Sequence, residues 1–465
     1  MTGGGDTDAG QTAVEMDTGQ PAVDQPAVDL AALVAPALAL LGWCGYAWFV
    51  FWQGTFGQPL IWTDSTTYAA IDGHPILSTG FWAGQRPPLV PLVLKLAGSA
   101  TGYVALQSAF AVGAWGFLAF TVSRLVPAGW RRVVAVWAIL AFASSTPIIL
   151  WNRSVLSESP SLSLLALLVA GVVWAALRLT WPRVAAIVVV ALLFAATRDA
   201  QVWTVAALGV AIAIVALVRL RPPRPLNRRL GVLALGLLLA AGLTGWVVVH
   251  TGRSKENIAN VYYVRIFPFP DRVAWFSAHG LPDAGAIDRA ARTYPPSERG
   301  TAQVIGPGQI GVTSAAVGTW IQNHGQSTYL LWMITHPTFA ITEPLQRPER
   351  SFNFANGDLT FYAPLVRVNS PLSSDLWPAW WWLLPMSVVG LATGGVTGLW
   401  RRRVWTALIM LGLLGIFTMV VAWNGDGQEV TRHTIEGFAE VRLCVLILIT
   451  VGVLHFIPMR RRRRV

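Results

Sequence analysis

The chain has few charged residues for its size. Only 12% of its 465 residues are Asp, Glu, Lys or Arg, whereas 54% are hydrophobic and the mean hydropathy is +0.53. Soluble globular proteins carry about 25% charged residues. This shortage of charge excludes an ordinary soluble domain and indicates a protein whose solvent is the lipid bilayer.

Cysteine and lysine are also scarce. Cys44 and Cys444 both lie inside apolar runs, which argues against a disulfide framework or a thiolate metal site. The lysines are Lys95 and Lys255, and this Arg- and Ala-rich composition is typical of bacteria with GC-rich genomes. The segment 1–30 contains no Lys or Arg, so it lacks the basic start of a signal peptide and is predicted to be a disordered acidic tail.

Long apolar runs recur along the rest of the sequence. Many are long enough to cross about 30 Å of hydrocarbon as a helix. They predict an all-α polytopic membrane protein with about ten transmembrane helices. The candidate spans are 31–52, 102–123, 133–151, 160–177, 184–197, 202–218, 230–250, 378–399, 404–423 and 441–458. The proline-rich stretch 87–98 is too short to span and is predicted to start a helix or lie at the interface.

The basic residues give this topology a direction. The net charge of +11 comes mainly from arginines in short clusters between apolar runs. With ten spans, all five clusters fall on one face, which the positive-inside rule assigns to the cytoplasm. Both termini are then cytoplasmic, and no nucleic-acid partner is needed to explain the charge. The clusters lie at 124–132, 178–183, 219–229, 401–403 and 460–464.

The predicted topology divides the chain into four parts. A cytoplasmic tail, 1–30, precedes a transmembrane module, 31–250, whose first outer loop is 53–101. An extracytoplasmic loop domain follows at 251–377 and is long enough to be a small domain. The segment 378–465 contains the last transmembrane helices and a basic cytoplasmic tail.

The first outer loop contains two candidate site residues. Asp64 closely follows the first span, and its carboxylate could act as a general base toward a hydroxyl group. It could equally cap a helix that lies along the membrane surface. Arg86 lies among prolines and is a candidate phosphate ligand, because a guanidinium can donate two parallel hydrogen bonds.

The next two outer turns add further candidates. Glu158 stands at the mouth of the fourth span, where it could hold a metal ion or a sugar hydroxyl, or simply cap the helix with Ser157. Arg153 could reach up to the lipid headgroups. Arg198 and Asp199 lie between two spans, where they could bind a phosphate or neutralise each other.

The last outer segment, 424–440, ends the set. If it is helical, Glu429, Arg432 and His433 share a face, because they stand at positions i, i+3 and i+4. The plainer interpretation is a solvated, ion-paired turn before the final span. No single one of these signals is specific. The functional prediction depends on carboxylates and arginines from four loops converging at one membrane surface.

The order of these elements resembles the GT-C superfamily of membrane glycosyltransferases. The resemblance is to the branch with protein O-mannosyltransferases and lipid A aminoarabinose transferases. It covers about the first 220 residues and the region 424–442. Asp64 is followed by Ser65 rather than by a second carboxylate, a departure from many members that bears on metal use. The matching elements are Asp64, Arg86-Pro-Pro-Leu-Val-Pro91, Ser157-Glu158, Thr197-Arg198 and Glu429-Val-Thr-Arg-His433.

This resemblance implies a GT-C-like fold and an inverting hexosyl- or pentosyltransferase in the plasma (inner) membrane of a bacterium. Its donor would be a polyprenyl-phosphate-linked sugar, and its acceptor an envelope glycan, lipid or protein. Asp64 would be the catalytic base, and Glu158 would assist it or share a divalent cation (Mg²⁺, Mn²⁺ or Ca²⁺) with it. The implied substrate-binding residues are Arg86, Arg153, Arg198, Tyr262, Tyr263, Glu429, Arg432 and His433.

Other functions stay open on the sequence. A transporter or flippase for a lipid-linked sugar would need ionisable residues at mid-bilayer depth, and the candidate spans have almost none. A polymerase or ligase of surface polysaccharide would share the donor and the outer face and differ in its acceptor. A non-catalytic scaffold would bind its partners through the 251–377 segment.

Overall fold

A computed structural model describes seven stretches of the chain. Their helical content is high, and apart from one isolated bridge between Leu60 and Ser154 the described residues contain no β-structure. The prediction of an all-α polytopic membrane protein is confirmed. Nearly all of the predicted tail 1–30 lies outside the described residues. The described stretches are 30–55, 58–218, 225–293, 315–346, 380–396, 403–427 and 430–456.

All ten predicted spans coincide with helices. Seven described helices are long and apolar enough to cross a membrane alone. They are α1 (Leu30–Thr55), α5 (Ala100–Ser123), α8 (Glu158–Leu177), α10 (Asp199–Val218), α11 (Pro225–Thr251), α19 (Arg403–Gly425) and α21 (Ile435–Phe456).

The remaining three predicted spans are shorter or broken, so the described residues contain seven or eight candidate membrane spans rather than about ten. Helix α6 (Trp130–Ala143) continues through α7 (Thr146–Ile149) and a 3₁₀ turn after a bend of 57°. Helices α9 (Trp181–Ala195) and α18 (Trp380–Val396) have 15 and 17 residues. At 1.5 Å per residue each reaches only about 25 Å, so each is shorter than the hydrocarbon core.

The segment predicted to be the first outer loop folds into three short helices over one end of the bundle. These are α2 (Thr63–Asp72), α3 (Thr79–Trp82) and α4 (Leu89–Ala97). The Leu89 amide donates to the Ala196 carbonyl at 3.3 Å, which ties the start of α4 to the turn after α9. The predicted helix start in the proline-rich stretch 87–98 is therefore present as α4.

The described part of the 251–377 segment is helical and has a hydrophobic core of its own. Tyr262 lies at its centre and packs against Phe276, Trp320 and Tyr329. The core is separate from that of the bundle. The helices are α12 (Ser254–Val261), α13 (Pro270–Ala278), α14 (Ala284–Arg292), α15 (Ala315–Trp320), α16 (Gln326–Thr335) and α17 (Pro337–Gln346).

The last spanning helix starts earlier than predicted. The sequence predicts the span from 441, whereas α21 begins at Ile435, directly after the one-turn helix α20 (Val430–His433). Glu436 and Glu440, predicted to lie in the outer loop, are 0% and 1% exposed in the first turns of α21. The apolar run underestimates the helix because these acidic residues are packed among other helices.

Candidate functional site

Polar residues from separate segments form a hydrogen-bonded ionic cluster at one end of the bundle. They come from α2, the approach to α4, the start of α8, the turn before α10, and α20 with the start of α21. The members of the ionic cluster are Asp64, Arg86, Glu158, Arg198, Arg432, His433 and Glu436.

The start of α2 turns Asp64 into this cluster. The capping hydrogen bond of α2 is made by Ser65, whose Oγ accepts from the Trp62 amide at 2.9 Å. The same hydroxyl donates to the Val155 carbonyl at 2.8 Å and fixes α2 against the approach to α8. Because Ser65 makes the capping bond, the Asp64 carboxylate does not cap the helix and points to arginines instead.

Arg432 joins two carboxylates that are far apart in the sequence. Its Nη2 donates to Asp64 Oδ2 at 2.9 Å, and its Nε donates to Glu158 Oε1. The other Asp64 oxygen, Oδ1, accepts from Arg86 Nη2 at 2.6 Å. Arg86 Nε is held by Thr67 Oγ1 at 3.2 Å. Each oxygen of the Asp64 carboxylate therefore accepts a hydrogen bond from a different guanidinium group.

Arg198 forms the second centre of the cluster. Its Nη1 donates to Glu436 Oε1 at 2.8 Å and lies 3.5 Å from Glu158 Oε1. Its Nη2 contacts His433 Nδ1 at 2.6 Å. Burial disfavours the charged form of Arg198, but Glu436 and Glu158 outweigh it and raise its pKa above the usual value.

These contacts determine the tautomer of His433. A guanidinium can only donate, so His433 Nδ1 must be the acceptor and the ring proton must be on Nε2. That Nε2 lies 3.3 Å from Asp426 Oδ2. Burial, followed by the charges of Arg198 and Arg432, holds the pKa of His433 well below its usual value. His433 is thus a neutral ring in a fixed orientation.

The cluster has a buried floor and an accessible rim. The side chains of Glu158, Arg198 and Arg432 are 0%, 8% and 5% exposed. Asp64 and Arg86 are 20% and 32% exposed. A substrate can contact the rim, Asp64 and Arg86, directly. The floor, formed by Glu158, Arg198 and Arg432, can act only through the residues to which these side chains are bonded.

Arg253 is a neighbouring residue that sequence reasoning missed. It follows α11 after Gly252, whose φ of +69° turns the chain, and its Nη2 lies 3.6 Å from Asp199 Oδ1. Its side chain is only 4% exposed, and neither Nε nor Nη1 has a hydrogen-bond partner among the described residues. Burial lowers the pKa of Arg253, although Asp199 opposes this. The only signal in the sequence was an arginine directly after a span.

The structure places several predicted site residues elsewhere. Arg153 lies outside the cluster, and its Nη2 donates to the Gln58 carbonyl at 3.2 Å. Tyr262 is 0% exposed and donates its hydroxyl to the Gly325 carbonyl at 2.9 Å, so it has no free face for a sugar. Tyr263 packs edge-on against Phe267, as part of the same core.

Two other predictions concern Glu429 and a metal ion shared by Asp64 and Glu158. Glu429 lies outside the described residues, and with it the face predicted to be shared with Arg432 and His433. Asp64 and Glu158 do not fit a shared metal ion, because the Arg432 guanidinium lies between them. Among the described residues, no group of three or more His, Cys, Asp or Glu side chains is placed to hold a metal ion.

Comparison with known proteins gives little to add to this geometry. No protein-family model and no curated protein matches the chain. One similar solved structure is the archaeal oligosaccharyltransferase AglB from Archaeoglobus fulgidus, in complex with an inhibitory peptide and a dolichol-phosphate. The similarity covers 88% of this chain and 50% of AglB, at 13% identity and a TM-score of 0.43. The chain thus spans about half the length of AglB, and a likeness this weak supports no conclusion about chemistry.

Proposed function

We propose that this chain is a membrane glycosyltransferase of the GT-C type. It transfers a sugar from a polyprenyl-phosphate donor to a hydroxyl on an envelope glycan, lipid or protein, at the extracytoplasmic face of a bacterial plasma membrane. The observation that carries the proposal is the ionic cluster. Buried ion pairs bring little net stability, and ionisable groups near a bilayer are typical of functional sites.

Asp64 is the proposed base. It is the most exposed carboxylate of the cluster, and each of its oxygens accepts one guanidinium N–H. A carboxylate has about four lone-pair sites, so Asp64 can still accept a hydrogen bond from an incoming hydroxyl. Asp64 takes the proton from that hydroxyl as the hydroxyl oxygen attacks the anomeric carbon. Because the attack comes from the side opposite the leaving phosphate, the configuration at the anomeric carbon is inverted.

The proposed phosphate ligands are Arg86 and Arg253. Arg86 is the most exposed arginine of the cluster, and Arg253 has two buried N–H groups without a partner in the described structure. Both guanidinium groups lie close enough to Asp199 to act on it electrostatically. A phosphate oxygen would satisfy the two N–H groups of Arg253 through charge-assisted hydrogen bonds.

The buried residues have a positioning role in this proposal. Glu158 is inaccessible to substrate, but it holds Arg432 and lies beside Arg198. Arg432 in turn orients Asp64, and Arg198 orients His433. We therefore assign Glu158, Arg198 and Arg432 to the support of the rim rather than to direct substrate contact.

Transfer fits this arrangement better than transport. The Asp, Glu, Lys, Arg and His side chains in the described spans lie within about two turns of a helix end. A transporter or flippase would place them near mid-bilayer, where the substrate passes.

The proposal is tested by the variant Asp64→Asn in purified protein. The assay uses radiolabelled polyprenyl-phosphate hexoses and pentoses and measures the release of polyprenyl phosphate. We expect the rate of sugar transfer to fall at least about 100-fold, because a general base usually contributes this much to a rate. Asp72→Asn is the matched control, because Asp72 is in the same loop and pairs with Lys95 instead of the cluster. Full transfer by a folded Asp64→Asn protein would rule out Asp64 as the base.

A further inference from the structure

A cavity of about 710 Å³ lies at the end of the bundle opposite the ionic cluster. It is bounded by the first half of α1, the second half of α5 and the start of α6. The other end of α5 faces the cluster, where Tyr103 donates its hydroxyl to the Leu156 carbonyl at 2.7 Å. The cavity and the proposed active site are therefore separated by most of the length of α5.

The walls of this cavity are apolar and are not fully covered by protein. Leu40 on α1 and Phe120 on α5 are 59% and 53% exposed. Gly116 allows α1 to approach α5, since a Cβ there would lie 2.3 Å from Trp43 Nε1. Gly113 has no atom within 4 Å of an added Cβ, so the groove is open beside it. An apolar chain fits these walls.

The mouth of the cavity is basic. Arg124 and Arg132 line it together with Ser123, and none of the described residues that line it is acidic. Arg132 Nε is buried without a hydrogen-bond partner among the described residues. The Arg124 guanidinium lies 5.8 Å from the Phe120 ring, at the boundary between the basic mouth and the apolar wall. A ligand that satisfies both parts has an anionic head and an apolar tail.

We propose that this cavity binds an anionic diacyl phospholipid. Its phosphate lies against Arg124 and Arg132, and an acyl chain lies between α1, α5 and α6. Basic pockets between spanning helices on the cytoplasmic side recognise anionic headgroups in this way. A neutral lipid would leave the arginines unused, and a soluble anion would leave the apolar groove empty.

Bound lipid would stabilise the attachment of α1. Only 17% of the residues in the most apolar stretch of α1 are buried, a smaller share than in any other described helix that can span a membrane alone. One contact that holds it is the Trp137 Nε1 hydrogen bond to the Leu38 carbonyl at 3.2 Å. An acyl chain between α1 and α5 adds apolar contact area that the protein itself does not supply.

The experiment is a thermal unfolding titration of the purified full chain in a nonionic detergent. Dioleoylphosphatidylglycerol is the anionic probe, and dioleoylphosphatidylcholine and inorganic phosphate are compared with it. We expect phosphatidylglycerol alone to raise the Tm in a saturable way. The double variant Arg124→Gln/Arg132→Gln should raise the half-saturating concentration by at least about tenfold. The matched control Arg178→Gln/Arg228→Gln removes two exposed arginines from the same predicted face and should change it less than twofold.

A second variant tests the groove itself. Gly113→Leu fills the open space beside α5, so it should abolish the phosphatidylglycerol effect while the lipid-free protein stays folded. Equal stabilisation by phosphatidylcholine, or by phosphate alone, would overturn the proposal. So would an unchanged response in the Arg124→Gln/Arg132→Gln protein. None of these outcomes bears on the ionic cluster at the other end.

Discussion

At the scale of single residues, the side chains of the ionic cluster compensate one another's charges. Glu158 Oε1 faces both Arg432 and Arg198, while its Oε2 is buried without a hydrogen-bond partner among the described residues. Removing one partner of a buried ion pair leaves an uncompensated charge, which commonly costs about 3–5 kcal/mol. Tests of the site therefore need the conservative replacement Asp64→Asn at the rim rather than truncations in the floor.

The neutral state of His433 predicts a pH dependence of stability. In the unfolded chain a histidine titrates near pH ~6.5, whereas burial and the adjacent arginines keep the pKa of His433 well below that in the folded protein. Below pH ~6.5 the unfolded chain therefore binds a proton that the folded protein refuses. Below pH ~6.5 the free energy of unfolding should therefore fall by up to about 1.4 kcal/mol for each unit by which the pH is lowered. Above pH ~6.5 the contribution of His433 to stability is fully present.

The measurement is chemical unfolding in detergent from pH 5 to pH 8, roughly spanning the titration range of histidine. His433→Gln should lose this part of the acid slope relative to the unsubstituted protein. His324→Gln removes an exposed histidine from α15–α16 and should keep the slope. A His433→Gln protein with an unchanged slope would show that His433 does not carry it.

At the scale of elements, the sequence was informative wherever a single run of residues decides the structure. Long apolar runs locate all seven described helices that can cross a membrane alone, because the bilayer requires about 20 apolar residues in a helix. The start of α21 was placed too late because buried Glu436 and Glu440 resemble loop residues in the sequence. Their burial depends on α19 and α10, which no local pattern reveals.

A close helix contact that positions the cluster is between α19 and α21. A Cβ on Gly437 would lie 2.5 Å from the Gly415 carbonyl oxygen and 2.9 Å from the Met419 amide nitrogen. Both obstacles are backbone atoms and cannot rotate away. Gly437→Ala should therefore push the two helices apart, lower the free energy of unfolding by about 1–3 kcal/mol and displace Glu436 next to it.

Thermal unfolding of the purified variants measures this effect. Gly412→Ala is the matched control on the same pair of helices, because its Cβ would meet Cys444 Cβ at an ordinary 3.8 Å. A Gly437→Ala protein as stable as Gly412→Ala would mean that α19 and α21 can separate without cost.

At the scale of the whole molecule, the topology explains why the candidate site was partly predictable. The arginine clusters assign alternate loops to one face, so Asp64, Glu158, Arg198 and Arg432 were expected on the opposite face. The structure brings these four side chains into one hydrogen-bonded set. Their pairing was not predictable, because it depends on how loops more than 200 residues apart pack together.

A buried arginine is one of the links between helices α12–α17, called the outer helices here, and this set. Arg265, after α12, lies 3.3 Å from Glu343 on α17, and its Nη2 donates to the Asp426 carbonyl at 3.3 Å. Its guanidinium also lies 4.3 Å from the Trp423 ring. Since Asp426 Oδ2 lies 3.3 Å from His433 Nε2, Arg265 connects the outer helices to the ionic cluster.

Arg265→Gln should loosen both sides of this connection at once. It leaves Glu343 short of one buried partner and frees the Asp426 segment, so hydrogen exchange should rise in α17 and in α20 together. Arg292→Gln is the control, because Arg292 is 66% exposed and its pair with Asp288 is a surface contact of little energy. If exchange rose in α17 but not in α20, the outer helices would be coupled to the bundle by another route. The rise in both, absent from Arg292→Gln, would make the outer helices part of the support on which the rim of the cluster depends.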